Sequence, residues 1–185
     1  MFSIIQYIPN LHLEKMTKNN SLDPRLHFVV ATAIIVKDGK FLIAKRAEWE
    51  KAFPNKWTVP GGKLVLHEYQ KLPKTSPNHP QWYNVVDWVL HKEVKEEVGL
   101  QIHKPEYLCD LVFVRSDGYP VVTLSYWAKY KGGKVKLSEA LSEYDWVTLK
   151  EAKKYDLIDG IWDELGAVDK ILKRRIESND SFEKC

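Results

Sequence analysis

Cysteine is nearly absent from this chain. Cys109 lies inside an apolar run and Cys185 is the last residue, so no metal-binding cysteine spacing exists and a stabilising disulfide is not expected. Long hydrophobic runs are missing as well. No stretch approaches the roughly 20 apolar residues that a membrane-spanning helix needs. The opening Met1-Phe2-Ser3-Ile4-Ile5 lacks the basic start of a secretory signal, so a cytoplasmic protein with no membrane contact is expected. Nor does charge of one sign dominate. With 28 basic against 25 acidic side chains the net charge is +3, which permits an anionic small-molecule substrate without demanding nucleic acid. No internal repeat or low-complexity tract is present.

What is present suits one domain. The chain has 185 residues, 44% hydrophobic and 29% charged, enough for a sizeable core. Seven tryptophans and nine tyrosines are many for this length; most are expected in the core, while any exposed ring is able to stack on a base. Residues 1–25 combine Ile4, Ile5, Ile8 and Leu11 with the polar Lys18-Asn19-Asn20-Ser21 and are expected to form an extension on a short linker. The domain then spans 26–176, and 177–185 are a tail.

Residues 28–36 are β-branched and apolar, Asp38-Gly39 is a hairpin turn signal, and 41–44 continue as a second strand. Trp57-Thr58-Val59 is a further short strand, stopped by a loop at Pro60-Gly61-Gly62. Pro73, Pro77 and Pro80 exclude regular helix over 69–80. A helix is predicted from Pro80, suited to a first helical turn, to about Val98, with Val85, Trp88, Val89, Lys92 and Glu96 at helical spacing and Gly99 as its stop. Residues 107–114, a turn at Asp117-Gly118 and residues 121–130 read as a second hairpin, and Trp146-Val147 as one more short strand. Ile158, Ile161, Trp162, Leu165, Val168 and Leu172 form the stripe of a terminal packing helix, with Lys173, Arg174 and Arg175 at its end. Such a basic end is more often solvated than bound to RNA. This order argues for an α+β fold, a mixed sheet with helices packed on it.

On the predicted central helix Glu93, Glu96 and Glu97 share one face. Like charges so placed repel, and a divalent cation would make the arrangement favourable; magnesium, with its preference for oxygen ligands and retained water, suits it. The plainer reading is a solvated face neutralised by Lys92 and Lys95. Gly61 and Gly62, which allow close backbone approach, and Glu68 as a fourth carboxylate favour the first reading.

Gly62-x5-Glu68 and Lys92-Glu93-Val94-x-Glu96-Glu97-x-Gly99-Leu100 together resemble the signature of the Nudix hydrolases, G-x5-E-x7-R-E-U-x-E-E-x-G-U. Trp57 to Lys63 resembles the family's lead-in, Glu143 to Val147 a downstream strand, and residues 28–175 are covered. Two departures stand out. Between Glu68 and Lys92 lie 23 residues rather than the motif's seven, an insertion of 16 that is able to bulge outward at modest entropic cost. Lys92 stands where the family has arginine, which keeps the charge and loses the planar fork.

The resemblance implies a Nudix-type α/β/α sandwich with a mixed β-sheet. It implies Mg2+, or Mn2+, held by Glu93, Glu96, Glu97 and the Gly61 carbonyl, with Glu68 and Lys92 supporting the helix face. The base would be Glu93 or a downstream glutamate, Glu139 or Glu143, shortly before Trp146. Lys45, Arg46 and Lys63 would contact phosphate, and Lys71, Lys74, Trp82 and Tyr83 of the insertion would either shape the pocket or decorate a lid. The expected reaction is hydrolysis of a nucleoside triphosphate to a monophosphate and pyrophosphate. A diphosphate-linked nucleotide, or nucleotide sensing without catalysis, are the alternatives. The expected partner is a small-molecule nucleotide, with a homodimer allowed.

Overall fold

Side chains alternate across a strand, and in β1 (Phe28–Lys37) both sides find a core: Ala31, Ala33 and Ile35 face one way, Ile34 and Val36 the other. The computed structural model describes residue 23 and residues 25–182, with side chains to 177, so the extension expected over 1–25 falls almost wholly outside the described residues. Asp38 and Gly39, with φ of 51° and 74°, make the tight turn into β2 (Lys40–Arg46). β3 (Trp57–Thr58) pairs with β2.

The loop expected at Pro60-Gly61-Gly62 is instead mostly strand. β4 (Gly61–Lys63) pairs antiparallel with β1, Gly61 opposite Thr32 and Gly62 opposite Ala31. A Cβ on Gly61 would lie 2.4 Å from the Ala31 carbonyl oxygen, and one on Gly62 would lie 2.1 Å from Cδ of Glu93. These glycines therefore serve close packing on both faces, a use that turn statistics miss.

α1 (Leu66–Tyr69) follows, and α2 (Val85–Val98) begins later than Pro80. Asn84 precedes the helix in the left-handed region, φ 59°, and the residues before it are committed elsewhere. Thr75 N–H donates to the Gln81 carbonyl at 3.0 Å, Trp82 Nε1–H donates to the Leu72 carbonyl at 3.0 Å, and the Trp82 ring packs edge-on to Tyr69 at 5.5 Å. Trp82 thus closes the insertion on itself. Trp82→Ala removes that hydrogen bond and ring contact, worth about 1–2 kcal/mol of local stability; limited proteolysis should then cut within 70–84 roughly tenfold faster.

Gly99, φ 71°, ends α2 and leads into β5 (Leu100–Ile102), β6 (Glu106–Val114) and β7 (Pro120–Gly133). β7 runs parallel to β1 from Phe28 opposite Val121 to Val36 opposite Lys129, and pairs antiparallel with β5 and β6. β8 (Leu141–Val147) starts earlier than the expected Trp146-Val147 and pairs with β2 over most of that strand. α3 (Leu149–Ala152) opens with a reciprocal cap between Thr148 and Glu151. α4 (Ile161–Phe182) runs into the segment expected as tail.

Val89, Leu90, Val94 and Val98 of α2 are buried against Ala33, Ile35 and Leu42 on one face of the sheet. Ile161, Leu165 and Val168 of α4 are buried against Phe41, Ile43 and Trp127 on the other. Each such side chain contributes about 1.5–3 kcal/mol by leaving water. The result is the expected α/β/α sandwich on a mixed sheet. The basic cluster on α4 is partly used within it: Lys173 pairs with Asp169 at 2.7 Å, and Arg175 pairs with Glu106 and lies over Trp127. Among the described residues no helix is long and apolar enough to cross a membrane.

Candidate functional site

The apolar side of α2 fixes its rotation on the sheet, so the opposite turns carry Lys92, Glu93, Glu96 and Glu97 toward β4 and α1. Glu97 reaches furthest in. Its Oε2 accepts the Gly61 N–H at 3.0 Å. Burial is the largest influence on its acidity and pushes its pKa up to about 7; the negative charges of Glu93 and Glu50 add to the rise, while the Gly61 hydrogen bond and Arg46 oppose it. Glu93 lies flat over Gly62, in the space a Cβ would fill.

Lys92 occupies the middle of the remaining acids. Its Nζ donates to Glu93 Oε1 at 3.0 Å and lies 3.0 Å from Glu96 Oε2 and 3.3 Å from Glu68 Oε2. Burial alone would lower the pKa of this ammonium, but its bonds to Glu96, Glu93 and Glu68 outweigh it and hold the pKa above the usual lysine range. Through Lys92, Glu68 on α1 is tied to α2, so the two halves of the divided sequence pattern meet across the insertion.

The three glutamates expected to converge turn to different partners. Among the described residues no three Asp, Glu, His or Cys side chains stand together as a metal-holding group. The reason is local: Glu93 and Glu96 turn to the Lys92 ammonium and Glu97 turns to the Gly61 amide. The donor set still fits a hard divalent cation. All its side-chain atoms are carboxylate oxygens, and Glu97 is a half-buried carboxyl whose raised pKa a nearby cation would bring down.

The expected phosphate contacts are engaged with the protein itself. Lys45 Nζ pairs with Glu143 at 2.7 Å. Arg46 donates to Glu50 Oε2 at 2.5 Å and to the Ala52 carbonyl at 2.6 Å. Lys63 is exposed on β4, beside the two glycines. Glu139 is exposed, and no described hydrogen bond or ion pair joins its side chain to the α2 glutamates; its chain neighbours are fixed near them, Ser138 N–H donating to the Glu97 carbonyl at 2.9 Å and Ala47 N–H to the Ala140 carbonyl at 2.9 Å. Of the insertion residues, Trp82 is turned inward and Tyr83 is exposed.

Glu50 is the residue that sequence reasoning missed. It pairs with Arg46, and both act on the acidity of Glu97. Their spacing of four was the available signal, but a loop connects them rather than the helix that usually makes such a spacing meaningful.

No protein-family model and no curated protein matches the chain in sequence. Solved structures do match in fold. A MutT protein from Methanosarcina mazei Go1 is 25% identical, with 83% of this chain and 99% of that one covered and a TM-score of 0.62. A MutT NUDIX hydrolase from Burkholderia pseudomallei is 22% identical over 77% of this chain and 98% of that one, with a TM-score of 0.60. The NUDIX domain of Shewanella oneidensis NrtR, solved in complex with ADP ribose, is 17% identical over 88% of this chain and 97% of that one, with a TM-score of 0.57.

Proposed function

We propose that this chain, which has the Nudix fold, is a metal-dependent hydrolase of a phosphoanhydride in a nucleotide-type substrate. The observation that carries the reading is the meeting of the divided box: Glu97 bonded to Gly61, Glu93 packed over Gly62, and Lys92 joining Glu68 to Glu93 and Glu96. A solvated charged face has no need of such closure onto backbone glycines.

Glu93, Glu96, Glu97 and the Gly61 carbonyl would hold magnesium or manganese. Such an ion, when bound, neutralises phosphate oxygens and lowers the pKa of its water. The protein's own groups do the rest. Glu93, whose Oε1 accepts from Lys92 while no metal is bound, is the first candidate to take the proton of the attacking water; Glu139 is the second candidate for that task. Lys63 lies exposed beside the glycines as a phosphate contact, and Lys45 and Arg46 join it by exchanging Glu143 and Glu50 for phosphate.

The leading substrate is a nucleoside triphosphate, cleaved to a monophosphate and pyrophosphate, supported by the likeness to the two MutT proteins. A second reading, a diphosphate-linked nucleotide that is cleaved or only sensed, is favoured by the fold shared with a domain that holds ADP ribose. The deciding experiment presents nucleoside triphosphates and diphosphate-linked nucleotides, ADP-ribose included, with Mg2+ or Mn2+ to the wild type and to Glu97→Gln. Turnover that depends on Glu97 supports the hydrolase. Tight nucleotide binding without turnover of any compound would replace it by the sensor.

A further inference from the structure

Lys92 differs from an ordinary helix-surface lysine in one respect: its ammonium is enclosed by three carboxylates from two helices. The distances to Glu93, Glu96 and Glu68 are 3.0, 3.0 and 3.3 Å. Only 20% of the Lys92 side chain is exposed, and 16% of Glu93. A compact, strongly hydrated point charge on a flexible stem is the side chain best able to sit where a small inorganic cation would otherwise be attracted. The fourth acid, Glu97, takes no part in this ring and bonds to Gly61 instead.

We infer that Lys92 is the resident counter-ion of the metal-free site, and that a divalent cation binds by displacing the Lys92 ammonium from Glu93 and Glu96. The inference rests on the reading that this acidic face takes a divalent cation. It assigns to Lys92 a positioning role that changes with occupancy: with no metal bound it neutralises the acids and ties α1 to α2, and with metal bound it keeps only the Glu68 link. An arginine at this position, with five donors spread over a rigid plane, would be a poorer occupant of a site shaped for one small ion. Two consequences follow. Metal affinity in the wild type is held down by the competition, and metal-free stability is held up by it.

The test is direct binding of Mn2+ without nucleotide, followed by electron paramagnetic resonance, in the wild type, Lys92→Met and Lys92→Gln, with Glu97→Gln as the control that loses a ligand. Thermal melts in chelator and in excess Mg2+ report folding of each variant. Displacement predicts that both Lys92 variants bind Mn2+ roughly tenfold more tightly than the wild type. It also predicts that they melt lower in chelator and gain more from Mg2+ than the wild type does. Affinity that is unchanged or weaker in folded Lys92 variants, while the wild type binds, overturns the displacement and leaves Lys92 as a fixed support of Glu93. Absence of Mn2+ binding in every variant overturns both this inference and the metal-dependent reading on which it rests.

Discussion

Alanine at Gly61 should destabilise the protein severely, whereas alanine at the neighbouring Gly62 should leave it close to its normal stability and nearly inactive. The contrast comes from what each new methyl group would strike. At Gly61 it would lie 2.4 Å from the Ala31 carbonyl oxygen and 2.8 Å from the Thr32 Cα, both backbone atoms in the middle of β1. Neither can move without opening the pairing of β1 with β4 or β7. Overpacking of this kind costs about 3 kcal/mol, a large part of the total stability of about 5–15 kcal/mol for a typical domain. A melting temperature lowered by roughly 10 °C in circular dichroism is the expected result. At Gly62 the contact is the Glu93 carboxyl, the far end of a side chain, so the fold yields there cheaply. Glu93 moves by about an ångström, a displacement that commonly costs on the order of a hundredfold in rate. A normal melt with retained activity would show that Glu93 is not required at its present place.

The Glu97→Gln variant should lose activity and gain stability together. Activity falls by roughly a hundredfold or more, because a neutral amide neither binds a divalent cation well nor carries the charge that the site uses. Stability changes for a different reason. Below the ordinary glutamate value of 4.5 the carboxyl is protonated in both folded and unfolded chains, and its burial costs little. As pH rises from there to about 7 the unfolded chain releases the proton while the folded protein keeps it, so stability falls. Above that point the folded protein carries the full cost of a buried charge. In chelator, then, Glu97→Gln should melt higher than the wild type by roughly 5 °C at pH 8, with the gap closing toward pH 5. Mg2+ should reduce the gap at pH 8 by favouring the ionised wild-type carboxyl. A gap that is independent of pH would contradict the assignment of the cost to Glu97.

The sequence was legible where local chemistry decides structure. Asp38-Gly39 could scarcely be other than a tight turn, Gly99 stops α2 as expected, and the stripe from Ile161 to Val168 packs as a helix face. It was illegible where partners distant in the chain decide. Nothing near Gly61 announces that β1 will lie beside it, and the start of α2 was displaced from Pro80 by the commitments of Trp82 and Asn84. The short β5 was missed because its pairing comes from β7, and β8 was seen only at its apolar end because Ser142, Glu143 and Tyr144 lie exposed. At the site, the residue types and their shared face could be read from spacing. Which acid pairs with which cation could not: Lys92 is flanked by Glu93 and Glu96 in sequence, but its third contact, Glu68, is brought by the fold.

β4 holds the glycines of the site, and it is paired to a strand whose other edge is covered by β7, with Phe28 opposite Val121. During synthesis, a ribosome that has released β1, β4 and α2 has released Glu68, Glu93, Glu96 and Glu97 but not the strand that completes their platform. The central strand must wait, with one edge open, for a segment made much later, and pairings this far apart along the chain form slowly. The nascent protein therefore passes through an interval in which its most apolar strand is exposed to aggregation. Arrest of translation before residue 121 should yield a chain that engages chaperones rather than one that binds metal.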